Sequence, residues 1–189
     1  MFTGLDLAFA NTDILQAPLR PVEPVILRSL VQAAREQRRV RLSYISLSSG
    51  VAEERVIVPH TLVCTPLRWH VRAFCEKHAD YRDFVLSRFR GVPELIDASP
   101  HSLQSDVLWH TEVSIVIAPD QRLNATQQAI LEHDYGMIDG CLELKTRAPL
   151  VSYLLKALNL DLHKYEADPL AQQIEIRNRH EVAEYLIGS

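Results

Sequence analysis

The sequence of 189 residues is poor in cysteine and in long apolar runs, and each shortage excludes a class of protein. Its three cysteines, Cys64, Cys75 and Cys141, form no close pair, so a disulfide framework is not expected and a reducing compartment fits. No apolar run approaches the ~18 residues that a membrane span needs, and no signal peptide is recognisable. We therefore expect a cytoplasmic protein with no membrane partner.

The motifs of common enzyme classes are also missing. The sequence has no G-x-S-x-G elbow, no phosphate-binding glycine loop and no H-E-x-x-H pair, and its six glycines leave little room for a glycine-rich site. The histidines and cysteines of residues 60–78 lack the paired spacing of zinc ligands, so Cys64 and Cys75 are interpreted as buried apolar residues. We expect a protein that is not an enzyme and that needs neither a metal nor another cofactor.

Charge is abundant but unevenly distributed. Residues 27–90 contain 12 Arg and Lys against 6 Asp and Glu, a net charge of +6. Because the whole chain carries −4, the other residues together carry −10. Eleven of those 12 cations are arginine, whose planar fork of donors suits carboxylate and phosphate better than a lysine ammonium does. A basic segment beside an acidic one favours an anionic ligand for the first.

The first half of the chain has the pattern of one helix followed by short strands. After a proline-rich lead-in over residues 1–24, apolar residues recur at helical spacing from Val25 to Arg39. The strand pattern then follows, interrupted at Pro59, where we expect an edge or a bend. These elements predict a small antiparallel barrel or sheet over residues 25–100. The strand segments are VRLSYIS, ERVIVPHTLVC, RWHVRAFCE and DFVLSRF.

After Pro100 strands alternate with helices. EVSIVIAP alternates as a strand, and Asn124 with Gln127 forms a capping box that opens a helix through His133. CLELKTR and QQIEIRN are further strands, and LVSYLLKALN and HEVAEYLI are further helices. Residues 108–189 are therefore predicted to form a compact α+β domain, and the whole chain belongs to the α+β class.

The strand RWHVRAFC separates a basic row of side chains from an apolar row. A period of two places Arg68, His70 and Arg72 with Phe74 on one face and leaves Trp69 on the apolar face, which favours the core for Trp69. A half-buried strand with its polar side in water explains this pattern equally well. The concentration of arginines favours a binding role. Paired surface charges contribute only ~0–1 kcal/mol to stability, so stability alone gives little reason to gather them. Neighbouring segments add cations that have few acids nearby and that a barrel could gather at one rim: Arg55, His60, Arg82, Arg88 and Arg90.

The run RWHVRAFCEKHADYRDFVLSRFRGV resembles the signature of WYL domains, in which a strand bearing Trp, Tyr and Leu precedes a loop and a stretch with arginine and phenylalanine. Here the triplet is Trp69, His70 and Val71, so two of its three positions differ from the namesake. The similarity spans about residues 25–95. The positions that agree with the family pattern are Tyr44, Pro59, His60, Arg82, Phe84, Leu86 and Arg88.

This resemblance implies an Sm-like, SH3-type barrel that binds a nucleic-acid or nucleotide effector in an arginine-rich pocket. Residues 108–189 resemble the C-terminal extension that takes part in dimerisation, and the arrangement is similar to the WYL repressors of bacterial anti-phage defence islands. Those proteins carry an N-terminal winged helix-turn-helix. Residues 1–24 are too short to hold one, so we expect a truncated chain that reaches an operator only through a DNA-binding domain it lacks. The effector site is expected to be lined by Tyr44, His60, Arg68, His70, Arg72, Arg82 and Arg88.

The leading hypothesis is thus the effector-sensing and homodimerising portion of a transcriptional regulator, a repressor by resemblance. Three alternatives remain open: a stand-alone RNA or single-stranded nucleic-acid binding module, a nucleotide-processing enzyme, and a scaffold whose arginines bind acidic protein surfaces.

The histidine at position 70 stands where the family signature has tyrosine. Histidine titrates near neutrality, especially beside phosphate, whereas tyrosine stays neutral there. We therefore predict that ligand affinity rises as pH falls through the histidine range, and that His70→Tyr abolishes this dependence.

Overall fold

The computed structural model describes residues 20–66, 68–162, 164 and 166–186. The chain divides into two compact units between Ser99 and Pro100. Most of the predicted lead-in, residues 1–19, lies outside the described residues. Among the described residues, no helix is both long enough and apolar enough to cross a membrane.

The first unit is built from one helix and five antiparallel strands. A 3-10 turn of three residues, Leu86–Arg88, joins the last two strands. The elements are α1 (Pro24–Glu36), β1 (Arg38–Ile45), β2 (Ala52–Thr65), β3 (Arg68–Cys75), β4 (Asp80–Val85) and β5 (Phe89–Ala98).

Helix α1 confirms the helical spacing seen in the sequence. Pro24 occupies the first turn, where its missing N–H costs nothing, and Ile26, Leu30 and Ala33 form the buried face. The helix ends three residues before the predicted Arg39. Gln37 adopts a left-handed backbone with φ of 51°, and its N–H donates to the carbonyl of Ala33.

The five strands follow the order β4-β3-β2-β1-β5, so β4 and β5 are opposite edges although three residues connect them. Four strand spacings amount to roughly 19 Å across a flat sheet, while a 3-10 turn of this length rises only about 6 Å. The sheet must therefore curl. It does not close: within the described ranges no ladder pairs β4 with β5, so the expected barrel is an open sheet.

Strand β2 passes through Pro59 without a break. The register against β3 shifts between Pro59 and Thr61, which leaves His60 as the extra residue of a bulge. A bulge bends its strand and increases local twist, and this explains how one strand of 14 residues follows a curled sheet. The bend expected at Pro59 is confirmed, while the predicted interruption is wrong.

Side chains of α1 and of one face of the sheet form the core of the first unit. Tyr44 lies inside it, 7% exposed, with its ring edge-on to Phe84 and Phe89 at centroid distances of 5.1 and 5.0 Å. Its hydroxyl accepts a hydrogen bond from the N–H of Val85 at 3.3 Å. The buried members are Ile26, Leu30, Ala33, Val40, Leu42, Tyr44, Ile57, Val71, Ala73, Cys75, Phe84, Leu86 and Phe89.

The second unit places short helices around a three-stranded antiparallel sheet of order β7-β6-β8. Its strands are β6 (Glu112–Pro119), β7 (Leu142–Arg147) and β8 (Ile174–Ile176). Its helices are α2 (Val107–His110), α3 (Ala125–Tyr135), α4 (Val151–Ala157), α5 (Pro169–Gln172) and α6 (Arg179–Ala183).

The alternation of strands and helices predicted after Pro100 is confirmed. The capping box is present in both directions, since the Asn124 side chain accepts from the Gln127 N–H and the Gln127 side chain accepts from the Asn124 N–H. Helix α4 begins later than predicted because Pro149 belongs to a 3-10 turn, Ala148–Leu150, that precedes it. The core residues are Val113, Ile115, Ile117, Ala148, Val151, Leu155, Leu160, Ile174, Ile176 and Val182.

Candidate anion-binding face

Strand β3 separates basic from apolar side chains as its alternation predicts. Val71, Ala73 and Cys75 are fully buried in the core of the first unit. His70 and Arg72 point to the opposite face, yet they are only 0% and 5% exposed. The alternative interpretation, a half-buried strand with its polar side in water, is therefore wrong for these two residues.

Two residues that the sequence assigned to the core, one on β3 and one on β2, need correction. Trp69 is 46% exposed and Cys64 is exposed, although both were expected to be buried. The two residues pair with each other in the β2–β3 ladder. They lie next to the turn that joins β2 to β3, two residues beyond the buried Val71, so alternation alone overestimates their burial.

Strand register identifies the residues that surround the basic row. In adjacent strands, residues directly opposite one another share a face, so His70 lies between Val63 of β2 and Val85 of β4. Arg72 is opposite Thr61 on one side and Asp83 on the other. We call Thr61, Arg68, His70, Arg72 and Asp83 the basic face of β3.

Arg72 and Asp83 form an ion pair across the β3–β4 ladder. The Arg72 Nη1 donates to Asp83 Oδ1 at 3.4 Å, and the two side chains are 6% and 15% exposed. Pairing compensates for part of the cost of removing the guanidinium from water. This burial holds Arg72 in place more firmly than a surface arginine.

The charge environment of His70 is set by its neighbours on this face. Burial lowers the pKa of His70 from the ordinary 6.5; the negative charge of Asp83 opposes this, and the positive charges of Arg68 and Arg72 add to it. The neutral imidazole is thus favoured at neutral pH. The predicted rise of ligand affinity through protonation would begin at lower pH than for an exposed histidine, unless an anion bound beside the ring restores its pKa.

His60 adjoins the basic face through the bulge of β2. Its Nδ1 lies 2.8 Å from the hydroxyl oxygen of Thr61, the residue opposite Arg72. Its ring packs edge-on against Tyr81 at 5.6 Å, and Tyr81 packs in the same way on Phe74 at 5.3 Å. The structure therefore brings His60, Arg68, His70 and Arg72 of the predicted set to one side of the sheet.

The other three predicted residues lie elsewhere. Tyr44 is inside the core, on the reverse side of the sheet. Arg82 is exposed and pairs with Ala73, so it shares the face of the core residues and not that of Arg72. Arg88 is half-buried in the turn that joins β4 to β5.

Several of the remaining arginines have carboxylate partners, and for Arg55 this contradicts the expectation of few acids nearby. The pairs of Arg38, Arg39 and Arg41 lie at the surface, where ion pairs contribute little to stability. Arg55, in contrast, is only 8% exposed. The pairs are Arg38 with Glu36, Arg39 with Glu76 and Asp97, Arg41 with Glu94, and Arg55 with Glu53.

Asp83 and Thr61 were missed from the sequence. The KHADYR segment was interpreted as one long loop, which hid the start of β4 at Asp80. A four-residue connection after Cys75 pairs Cys75 with Asp80 and carries the same register to Arg72 and Asp83. A shorter loop assignment would therefore have found the acidic partner.

One cavity of the first unit combines charges of both signs. A cavity of about 330 Å³ beside β1 and β5 is lined by Arg41 and Arg90 but also by Glu54 and Glu94, which oppose a negative ligand. Within the described ranges, no group of three or more His, Cys, Asp or Glu side chains could hold a metal ion.

Comparison with known families finds a match in each of the two units. Residues 25–93, which hold α1 and all but the end of the sheet, match the model of the WYL domain. Residues 112–182 match the BrxR transcriptional regulator, C-terminal dimerization domain. The chain contains a WYL domain. The resemblance recognised in the sequence is thus confirmed.

Relatives with known names align along most of this WYL chain. It is 31% identical over 176 residues to a DNA-binding transcriptional repressor CapW of Stenotrophomonas maltophilia, covering 93% of this chain and 59% of the relative. Identity to CapW of Escherichia coli is 34% over 166 residues, 87% of this chain and 54% of the relative. The chain therefore spans little more than half the length of these relatives. Among solved structures, proteasome accessory factor B/C of Arthrobacter aurescens aligns with 88% of this chain and 28% of its own at 21% identity and a TM-score of 0.39.

Proposed function

We propose that this chain is the effector-sensing and dimerising portion of a transcriptional repressor, and that the basic face of β3 binds a phosphate-bearing nucleic acid or nucleotide. The observation that supports this most directly is the row Arg68, His70 and Arg72 on the face of β3 away from the core, with Arg72 anchored by Asp83. Matches to a WYL domain and to a dimerization domain support the regulatory role.

The chemistry of the basic face suits phosphate. Arg68 and Arg72 supply guanidinium forks that match phosphate oxygens, and Thr61 adds a hydroxyl beside Arg72. His70 lies between the two arginines in the strand and strengthens the field when protonated. A bound phosphate would compete with Asp83 for the donors of Arg72, so ligand and internal carboxylate act as alternatives.

This competition couples ligand binding to the conformation of the sheet edge, and so to regulation. The Arg72–Asp83 pair joins β3 to the edge strand β4, and loss of the pair weakens that edge. A ligand that recruits Arg72 would therefore favour a different arrangement of the sheet edge, and a dimer would transmit this as a shift between two states. Operator contact is assigned to a DNA-binding domain outside the matched region.

The two units take separate parts in this proposal. The curled first unit, residues 25–100, would be an opened variant of an Sm-like barrel that senses the ligand. Residues 108–189 would provide the dimer contacts, and the protein would work in the cytoplasm.

The test is to purify the chain, identify any anion that co-purifies, and titrate mononucleotides and oligonucleotides by calorimetry. Arg72→Ala should weaken binding by about tenfold or more, since hydrogen bonds to charged groups contribute about 1.5–3 kcal/mol. Arg39→Ala removes the same charge from an ion-paired site of the same unit and should change affinity by less than about twofold. Equal losses in both variants would contradict a specific site at the basic face.

A stand-alone module for single-stranded nucleic acid is the second candidate, and exposed Trp69 favours it. Base stacking on an aromatic ring contributes about 1–3 kcal/mol and tolerates any sequence. Trp109, the other tryptophan, is only 7% exposed, so fluorescence quenching by an oligonucleotide reports mainly on Trp69. Quenching that grows with strand length, lost in Trp69→Ala and absent with mononucleotides, would favour this candidate over the sensor.

A further inference from the structure

Strand β7 is an edge of the second sheet, because it pairs with β6 on one side and no other described strand of this unit pairs with its second side. Its inward side chains, Leu142, Leu144 and Thr146, are only half-buried, and Leu142 and Leu144 pack on the margin of the core. Exposed edges with free N–H and C=O groups readily pair with another strand.

Two charged residues of β7 lie at equal distances on either side of Leu144. The outward neighbours on either side, Glu143 and Lys145, are both exposed and carry opposite charges. Leu142 and Thr146 follow on the inward face. A strand with this pattern is complementary to a reversed copy of itself.

Only certain registers are possible when two copies of β7 pair antiparallel. Opposite residues must share a face, so a two-fold axis passes through a residue and not between residues. An axis at Glu143 places two glutamates opposite each other, and an axis at Lys145 does the same for two lysines. An axis at Leu144 places Glu143 opposite the lysine of the other copy, twice, with no like charges opposed.

We propose that a second copy of this chain docks on β7, with antiparallel strands paired about Leu144 to form a continuous six-stranded sheet. This inference rests on the proposed dimerising function and names its surface. The dimerization-domain match covers residues 112–182 and therefore includes all of β7. Identical strands related by a two-fold axis form the isologous contact that closed dimers use.

Pairing at β7 satisfies several needs at once. The ladder gives partners to backbone groups of the edge, and it covers the half-buried Leu142 and Leu144 in each copy. Ile138, 76% exposed and bridged to Cys141 just before β7, adds apolar surface near each end of the ladder. The two cross-strand ion pairs select the register.

Contacts within one chain already involve these charges, and the test must separate them. Glu143 accepts a hydrogen bond from the Ser114 hydroxyl at 2.5 Å, and the Lys145 Nζ lies 3.7 Å from Glu112. Both contacts are exposed, so they contribute little. A variant that lost only these contacts could not be rescued by a different chain.

Two reciprocal charge reversals provide that separation. Glu143→Lys opposes two lysine pairs in its homodimer and Lys145→Glu opposes two glutamate pairs, so each should raise the dimer dissociation constant by about tenfold or more in sedimentation equilibrium. A mixture of the two variants restores both opposite-charge pairs. We expect a heterodimer as tight as the wild-type homodimer, detected by mixing chains with different fluorescent labels.

Asp134→Lys is the matched control, since Asp134 is exposed on α3 and lies off the sheet; its dissociation constant should stay at the wild-type value. Circular dichroism should show the same folded content in all variants. Wild-type dissociation constants in both reversals, or no heterodimer in the mixture, would overturn pairing at β7 while leaving dimerisation intact. A wild-type chain that stays monomeric would instead overturn the dimerising function itself, and the β7 interface with it.

Discussion

Arg72 and Asp83 connect ligand affinity to stability within one pair of side chains. Both lie across the β3–β4 ladder with little exposure to water, at 6% and 15%. The Asp83 carboxylate stabilises the fold by pairing with Arg72, and it competes with a ligand for the same guanidinium. Removing the carboxylate should therefore change the two properties in opposite directions.

Asp83→Asn is expected to strengthen binding of a phosphate-bearing ligand several-fold, because Arg72 loses its negative competitor. The same change should lower the free energy of unfolding by about 1.5–3 kcal/mol, the contribution of a hydrogen bond to a charged group. Calorimetric titration with an oligonucleotide and urea unfolding monitored by circular dichroism measure the two effects. Weaker binding together with lower stability would show that Asp83 supports the site instead of competing with it.

His70 should make the protein less stable in mild acid. Burial lowers its pKa in the folded state below the ordinary 6.5, so the unfolded chain binds a proton more readily. The stabilising contribution is complete above pH 6.5 and declines as pH falls from there through the folded-state pKa. Urea unfolding at pH 7.5, 6.5 and 5.5 measures it.

His70→Gln keeps a polar side chain without a titrating ring, so its stability should change less between pH 7.5 and 5.5 than that of the wild type. Parallel pH curves for the two proteins would show that other groups cause the dependence. Ligand affinity measured over the same range tests the separate prediction that protonated His70 attracts the anion.

Helix α1 contributes to the fold mainly through the side chains that face the sheet. Leu30 is fully buried, whereas Leu27 is 37% exposed on another side of the same helix. Leu30→Ala should lower the free energy of unfolding by about 2–5 kcal/mol through lost burial and the cavity left behind. Leu27→Ala, an identical change in chemistry, should lower it by much less, and urea midpoints compare the two. Similar losses would mean that α1 contributes through its helix propensity and not through its packing.

Sequence patterns predicted the elements whose formation depends on residues close together in the chain. The spacing of Ile26, Leu30 and Ala33 predicted α1, and Asn124 with Gln127 predicted the start of α3. Errors arose for segments whose conformation depends on residues far away in the sequence. The segment after β4 looks like strand sequence, but it forms a 3-10 turn whose Leu86 is buried in the core of the first unit.

The same distinction holds for the candidate site. Alternation along β3 was enough to place His70 and Arg72 on one face, since a strand determines its own period. Which residues lie opposite depends on register, and register depends on turn length and a bulge at His60. Tyr44 illustrates the limit: a strand tyrosine suits a pocket or a core equally well by sequence, and packing against Phe84 and Phe89 decides.

The uneven charge of the whole molecule predicts salt-sensitive binding confined to its basic segment. Residues 27–90 hold +6 and the remainder −10, so a polyanion is attracted to one part and repelled by the other. If Arg68 and Arg72 each contact one phosphate of a single strand, log K should fall with log salt at a slope of about −1.4. Arg72→Ala should reduce the slope by about 0.7, measured by fluorescence anisotropy between 50 and 300 mM salt. An unchanged slope would place the phosphate contacts on other residues.

The position of β5 on the far side of β1 has a consequence during synthesis. Tyr44 of β1 pairs with Phe89 of β5, 45 positions later, whereas the opposite side of β1 pairs with the strand that follows it directly. At about 5–20 residues per second, a ribosome leaves one side of β1 without its partner for roughly 2–9 s. During that interval the nascent chain exposes the unpaired edge of β1, where a neighbouring chain on the same polysome can pair with it.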